Sequence, residues 1–135
     1  MRPRRLQDFK GAWRFERAVL EADGRRVEVT GRALWQPEGA GLLQTETGEM
    51  RLPGHAPMQV ERRYLWQAGL EVHFEDGRFF HRVPPEGGAA AHWCDPDRYD
   101  GVYEFSSWPV FRVRWRVCGP RKDYQMDTTY RPEER

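Results

Sequence analysis

Apolar and polar residues alternate with a period of two in six separate runs of the chain. Trp13, Phe15, Arg17 and Val19 share one face, with Arg14, Glu16 and Ala18 opposite. Val27, Val29, Gly31, Ala33 and Trp35 form a second face, and Val60, Arg62, Tyr64 and Trp66 a third. Leu70, Val72 and Phe74 alternate with Glu71, His73 and Glu75. Phe111, Val113, Trp115 and Val117 alternate with Arg112, Arg114 and Arg116, and Tyr124, Met126, Thr128 and Tyr130 with Gln125, Asp127 and Thr129. Successive side chains of a strand point to opposite faces, so each run predicts a half-buried antiparallel strand.

Turn residues separate the runs: Asp23-Gly24, Gly39-Ala40-Gly41, Pro53-Gly54, Ala68-Gly69, Asp76-Gly77, Gly87-Gly88, Pro96-Asp97 and Gly119-Pro120. Asp76-Gly77 is the best hairpin signal, because Gly tolerates the positive φ that a two-residue I′ turn demands. The spacing predicts 8–10 short strands and no crossover helix, with one helical turn near Arg5–Phe9. Antiparallel strands in consecutive hairpins either split into a sandwich or close on themselves, and a meander without long crossovers favours closure. The expected architecture is all-β, a single up-and-down antiparallel barrel spanning residues 1–135 as one domain.

Composition narrows the function classes. Lys+Arg is 22 and Asp+Glu 21, a net charge of +1 with the signs interleaved, so the one-sided basic excess of a nucleic-acid binder is missing. No stretch is apolar enough for a membrane helix. The basic start, Met1 to Arg5, leads into Asp8, Phe9 and Lys10 rather than an apolar h-region, so no secretory signal is expected and the expected compartment is the cytoplasm. Cys94 and Cys118 are then expected as thiols. All basic residues except Lys10 and Lys122 are Arg, and Ile and Asn are absent. That bias fits a GC-rich bacterial genome, which accounts for much of the Arg excess.

Phe9-Lys10-Gly11-Ala12-Trp13, a short turn running through Gly into a Trp on the first strand, resembles the opening of calycin barrels such as lipocalins and fatty-acid-binding proteins. That resemblance implies an indole at a closed end and an Arg of the last strand, here Arg131, stacked over Trp13. Other segments resemble an uncharacterised bacterial family, domain of unknown function 6314 (DUF6314). They are Arg62-x-Tyr64-x-Trp66, Asp76-Gly77-Arg78-Phe79-Phe80-His81, His92-x-Cys94-x-x-Asp97-x-Tyr99 and Gly119-Pro120-Arg121-Lys122-Asp123-Tyr124. The resemblance spans nearly the whole chain and implies a calycin-like fold without an activity. Gln44-Thr45-Glu46-Thr47 departs from the pattern, which leaves open what the third strand contributes to a site.

Arg17, Arg62, Tyr64 and Tyr124 share strand faces with large apolar residues. If those faces turn inward, the guanidiniums need a carboxylate, an aromatic face or a bound anion, because a buried unpaired charge is too costly. One outcome is an internal ion-pair network, for example with Glu104 or Asp123. The other is a cavity for a small amphiphile with an acidic or phenolic head, lined by Arg17, Arg62, Tyr64, Trp66, His81, His92, Trp115 and Tyr124. A solid interior, below ~300 Å³ of space, removes that second outcome. An alternative is a cofactor-free lyase, isomerase or hydrolase in the same barrel. His81 or His92 would be its base, with Lys122 or Tyr124 as acid. A third is haem or metal binding through one His. Neither a CxxC pair nor an HxxxH spacing is present, so no metal site and no cofactor are expected. The expected partner is a small molecule, and the protein is expected as a monomer or homodimer.

Overall fold

The computed structural model of the protein describes residues 2–133. A four-residue helix, α1 (Leu6–Phe9), precedes ten strands: β1 (Gly11–Glu21), β2 (Arg26–Glu38), β3 (Gly41–Arg51), β4 (Met58–Gln67), β5 (Glu71–Phe74), β6 (Phe79–Arg82), β7 (Gly88–Cys94), β8 (Asp97–Glu104), β9 (Phe111–Cys118) and β10 (Asp123–Pro132). All pairings are antiparallel, in the order β6-β5-β4-β3-β2-β1-β10-β9-β8-β7. The expected up-and-down barrel is therefore present, nearly closed, with a seam between β6 and β7. No helix is long and apolar enough to cross a membrane among the described residues.

Each apolar run faces inward. Trp13, Phe15, Val29, Trp35, Trp66, Val72, Phe111, Val113, Trp115 and Val117 are all buried. The alternate residues form exposed ion pairs across strands, such as Arg114 with Glu104 and Arg112 with Asp127. Exposed pairs of this kind contribute little to stability individually. Inward glycines let the long strands bend. A Cβ on Gly31 would lie 2.1 Å from the Thr47 carbonyl oxygen, so β2 and β3 approach there at a distance only Gly allows.

The two ends differ. At one end α1 plugs the barrel: Phe9 is fully buried among Trp35, Trp66, Phe105, Trp108 and Phe111, with ring centroids 4.9–6.1 Å apart. The Trp13 indole donates to the Phe9 carbonyl at 2.8 Å, so the Gly-x-Trp indole does lie at the closed end. Arg131 does not stack over it. Tyr130 takes the inward position of β10, which turns Arg131 outward, opposite Arg14. The cation–π contact at this end comes from Arg4, whose guanidinium sits 4.5 Å from the Trp108 ring. The other end is ringed by the hairpin turns at 22–25, 52–57, 75–78, 95–96 and 119–122. The Asp76-Gly77 hairpin has a longer loop than the two-residue I′ turn expected: Gly77 N–H bonds to Phe74 O, Phe74 N–H to Arg78 O, and Gly77 has φ 93°.

Candidate functional site

The open half of the barrel holds a chamber of about 260 Å³, bounded by Tyr64, Phe74, Phe80, His81, Trp115 and Tyr124 among others. A second space of about 420 Å³ adjoins it, lined by Val19, Val27, Val29, Met50 and Val60. Arg17, Glu46, Arg62, Tyr124 and Met126 line both. The first chamber alone falls short of the ~300 Å³ of a drug-sized pocket, while the second exceeds it.

A buried polar cluster stands where the spaces meet. The Arg17 guanidinium donates to both Glu46 oxygens, at 2.9 and 3.1 Å, and its Nε to Thr128 Oγ1 at 2.8 Å. Glu46 also accepts from the Tyr130 hydroxyl and, at 3.0 Å, from the Gln44 amide. Gln44 in turn accepts the Trp66 indole N–H at 2.7 Å. Arg17 stands opposite Val29 of β2 and Glu46 opposite Ala33, so the two side chains meet diagonally across β2, where the inward position between Val29 and Ala33 is Gly31, which has no side chain. Burial pulls the Arg17 guanidinium down, but the adjacent Glu46 carboxylate outweighs it and holds the group charged. Burial and Glu46 together raise the Tyr130 phenol. The partner of Arg17 is thus Glu46, not Glu104 or Asp123, which lie on the outside against Arg114 and Arg116. The Gln44–Thr47 segment that departs from the resemblance supplies the centre of the cluster.

Arg62 behaves differently. It stands opposite Glu46 in the β3–β4 register and lines both spaces at the mouth. Among the described residues it makes no ion pair or side-chain hydrogen bond. Glu46 already accepts four bonds, which uses the lone-pair capacity of a carboxylate. Tyr124, half-buried beside Arg62, has its phenol raised by burial and the Tyr99 charge, against the opposing charges of Lys122 and Arg62. Arg62 and Tyr124 are therefore a cation and a protonated phenol aimed at one space.

The wall nearest the seam is aromatic. Phe74, Phe80 and Trp115 stack with centroids 4.6 and 5.3 Å apart and planes within 20°. The Trp115 ring lies flat on the Gly101 backbone, where a Cβ would come within 2.7 Å of it. Phe80 and His81 are consecutive yet both buried, because a bulge shifts the β5–β6 register there. His81 Nε2 lies 2.7 Å from the Tyr103 hydroxyl, and its Nδ1 is buried without a partner. Burial, aided by the His92 charge, depresses His81 to about 3, while burial raises the Tyr103 phenol. Both are neutral at pH 7, so this pair offers hydrogen bonds rather than a proton exchange near neutrality.

Of the sequence-derived candidates, Arg17, Arg62, Tyr64, Trp66, His81, Trp115 and Tyr124 line the first chamber. His92 does not: it packs edge-on behind Phe80 and Phe74, 5.2 and 5.8 Å away, because it sits on β7 across the seam. Burial lowers its pKa and the Arg78 charge lowers it further, while the Phe80 carbonyl acts in the opposite sense. Lys122 is also outside the chamber, held at 3.1 Å from both Tyr99 Oη and Asp97, contacts that raise its pKa. Sequence reasoning missed Glu46, Gln44, Tyr103 and Tyr130. For Gln44 and Glu46 the signal was the in-phase series Leu42, Gln44, Glu46, Gly48, beside a strand face that carries an Arg. No group of three His, Cys, Asp or Glu side chains among the described residues is placed to hold a metal ion.

The fold is shared with the structure of the S-type phycobiliprotein lyase CPES from Guillardia theta, at a TM-score of 0.68 and 7% identity over 96% of this chain and 91% of that one. A de novo designed fluorescence-activating β-barrel aligns at a TM-score of 0.47 and 15% identity over 95% of this chain and 96% of that chain. At these identities the first likeness concerns architecture alone. No curated protein matches the sequence. Residues 9–132 match the Family of unknown function (DUF6314), and the chain belongs to that family.

Proposed function

We propose that the protein binds a small organic anion inside the open half of the barrel, with Arg62 as its charge partner and Tyr124 as a hydrogen-bond donor. The observation that carries this reading is the contrast between neighbouring guanidiniums: Arg17 is saturated by Glu46 and Thr128, whereas Arg62 faces the same space with no protein carboxylate bonded to it among the described residues. A cation that lines the space, is open to solvent and has no protein carboxylate bonded to it is suited to an anion that arrives from outside. The aromatic wall supplies apolar contact, and a few placed polar groups in a mostly apolar pocket are the usual make-up of a small-molecule site. Catalysis receives less support, because the close His81–Tyr103 pair in the chamber is held neutral on both sides. The barrel fold, shared at low identity with the structure of a phycobiliprotein lyase, is compatible with this use.

The test uses two probes of similar shape, 8-anilino-1-naphthalenesulfonate and the uncharged N-phenyl-1-naphthylamine, titrated by fluorescence. Arg62→Met is expected to weaken the sulfonate by about tenfold or more, the scale of a charged hydrogen bond, and to leave the neutral probe in place. Equal sulfonate affinity in both proteins rejects the reading. Native mass spectrometry of freshly purified protein then searches for a co-purified acid.

A further inference from the structure

The space served by Arg62 is divided, and its two parts differ in chemistry. On one side the stacked rings of Phe74, Phe80 and Trp115, with Tyr64 6.0 Å from Phe80, form flat walls. On the other side the apolar wall is mainly saturated, with Val19, Val27, Val29, Met50 and Val60 beside the single ring of Phe15, and the carboxylates Glu21 and Glu61 also line that space. Flat rings favour offset or edge contact with another planar group, whereas valines and methionines adapt to an alkyl chain. The residues common to both parts are Arg17, Glu46, Arg62, Tyr124 and Met126, so the uncommitted guanidinium lies at the division and not at the far end of either part. The Arg17–Glu46 pair beside it is locked by its own bonds and works as a fixed partition.

We infer that the ligand is a forked acid, with its anionic group at Arg62 between a flat aromatic or conjugated arm and a saturated arm. The aromatic arm lies among Tyr64, Phe80 and Trp115, and the saturated arm among Val27, Met50 and Val60. A straight acid with its charge at one terminus fills one part and leaves the other in water. This rests on the anion-binding reading above and adds the position of the charge within the ligand.

Four acids separate the possibilities in calorimetric titrations of the full chain. They are 2-hexyl-3-(naphthalen-2-yl)propanoic acid, its straight isomer 9-(naphthalen-2-yl)nonanoic acid, and the single-arm acids 3-(naphthalen-2-yl)propanoic and octanoic acid. The forked acid is expected to bind at least about tenfold tighter than the straight isomer and than either single-arm acid, since burial of a whole alkyl arm is at stake. Val60→Phe, which fills the saturated side, is expected to bring the forked acid down to the affinity of the naphthylpropanoic acid and to leave the latter unchanged. Met50→Phe makes the same test from the neighbouring strand β3 if Val60→Phe does not fold. A straight isomer that binds as tightly as the forked one, with binding still lost in Arg62→Met, overturns the fork and leaves anion binding standing. Loss of both single-arm acids in Val60→Phe also overturns it. Binding of none of the four acids overturns both readings.

Discussion

At the plugged end, an inward position holds an aromatic ring against other rings: Phe9, Trp13, Trp35, Trp66 and Phe111 are buried and mutually packed. In the open half, the same strands in the same alternation turn Arg17, Gln44, Glu46, Arg62, Tyr124 and Thr128 inward. Period-two patterning governs both halves, yet the outcomes diverge. Rings fill volume and need no partner beyond contact, so the plugged half is a packed core. Buried guanidiniums, carboxylates and phenols must be matched, as Arg17 is by Glu46 and Thr128, whereas Arg62 stays in contact with water at the mouth. A strand face can therefore be inward without being core, and the guanidinium without a protein partner stands where packing gives way to space.

The largest test of this contrast compares Glu46→Ala with Phe9→Ala. Each is expected to cost about 3–5 kcal/mol in denaturant unfolding, the first by leaving a buried charge unpaired and the second by opening a cavity. Only the first is expected to be rescued by a second substitution: Arg17→Met in the Glu46→Ala background is expected to recover much of the loss. Simple addition of the two effects would show that the cluster is not coupled. Gly31→Ala comes next at about 3 kcal/mol, the upper end of overpacking costs, because the new Cβ meets a backbone carbonyl that cannot give way. A smaller loss, read from the urea midpoint, would mean that β2 and β3 separate more easily than their spacing indicates.

His81 gives a pH signature of the open half. Its pKa is about 3 in the fold and near 6.5 when unfolded, so below about pH 6.5 the unfolded chain takes up a proton that the folded protein refuses. The stability from its neutral burial is full above that pH and is lost as pH falls towards about 3. Between pH 7 and 5 this amounts to about 2 kcal/mol. His81→Phe is expected to flatten that part of the profile, and an unchanged slope would assign it to other groups. The smallest effect on stability is that of Arg62→Met, within about 0.5 kcal/mol because the side chain is solvent-exposed at the mouth. A clear loss of stability in this variant would mean that Arg62 serves the fold.

The strands, their inward faces and the helical turn were legible in the sequence, because alternation and turn residues are local signals. The plugged end was legible too, from Gly11-Ala12-Trp13. The matching of charges was not. The bonds from Arg17 to Glu46 and Thr128 join residues 29 and 111 positions apart, and the choice of Glu46 over Glu104 depends on which strands meet and in what phase. The bulge that brings both Phe80 and His81 inward breaks the alternation on which the reading depended. His92 was misplaced for a related reason: its phase on β7 is inward, but the seam sets it behind Phe80.

The order of strands in the sheet has one more consequence. Every ladder joins neighbours in the chain except that of β1 with β10. Two meanders, six strands from the first part of the chain and four from the second, can each zip up through short-range contacts, and a single long loop closure then welds them. Arg17 sits on that weld, bonded to Thr128 and Tyr130 of β10 and to Glu46 of β3. The ion pair itself lies within the first meander, whereas the bonds from Arg17 to Thr128 and Tyr130 require β10 to be docked on β1 in the correct phase.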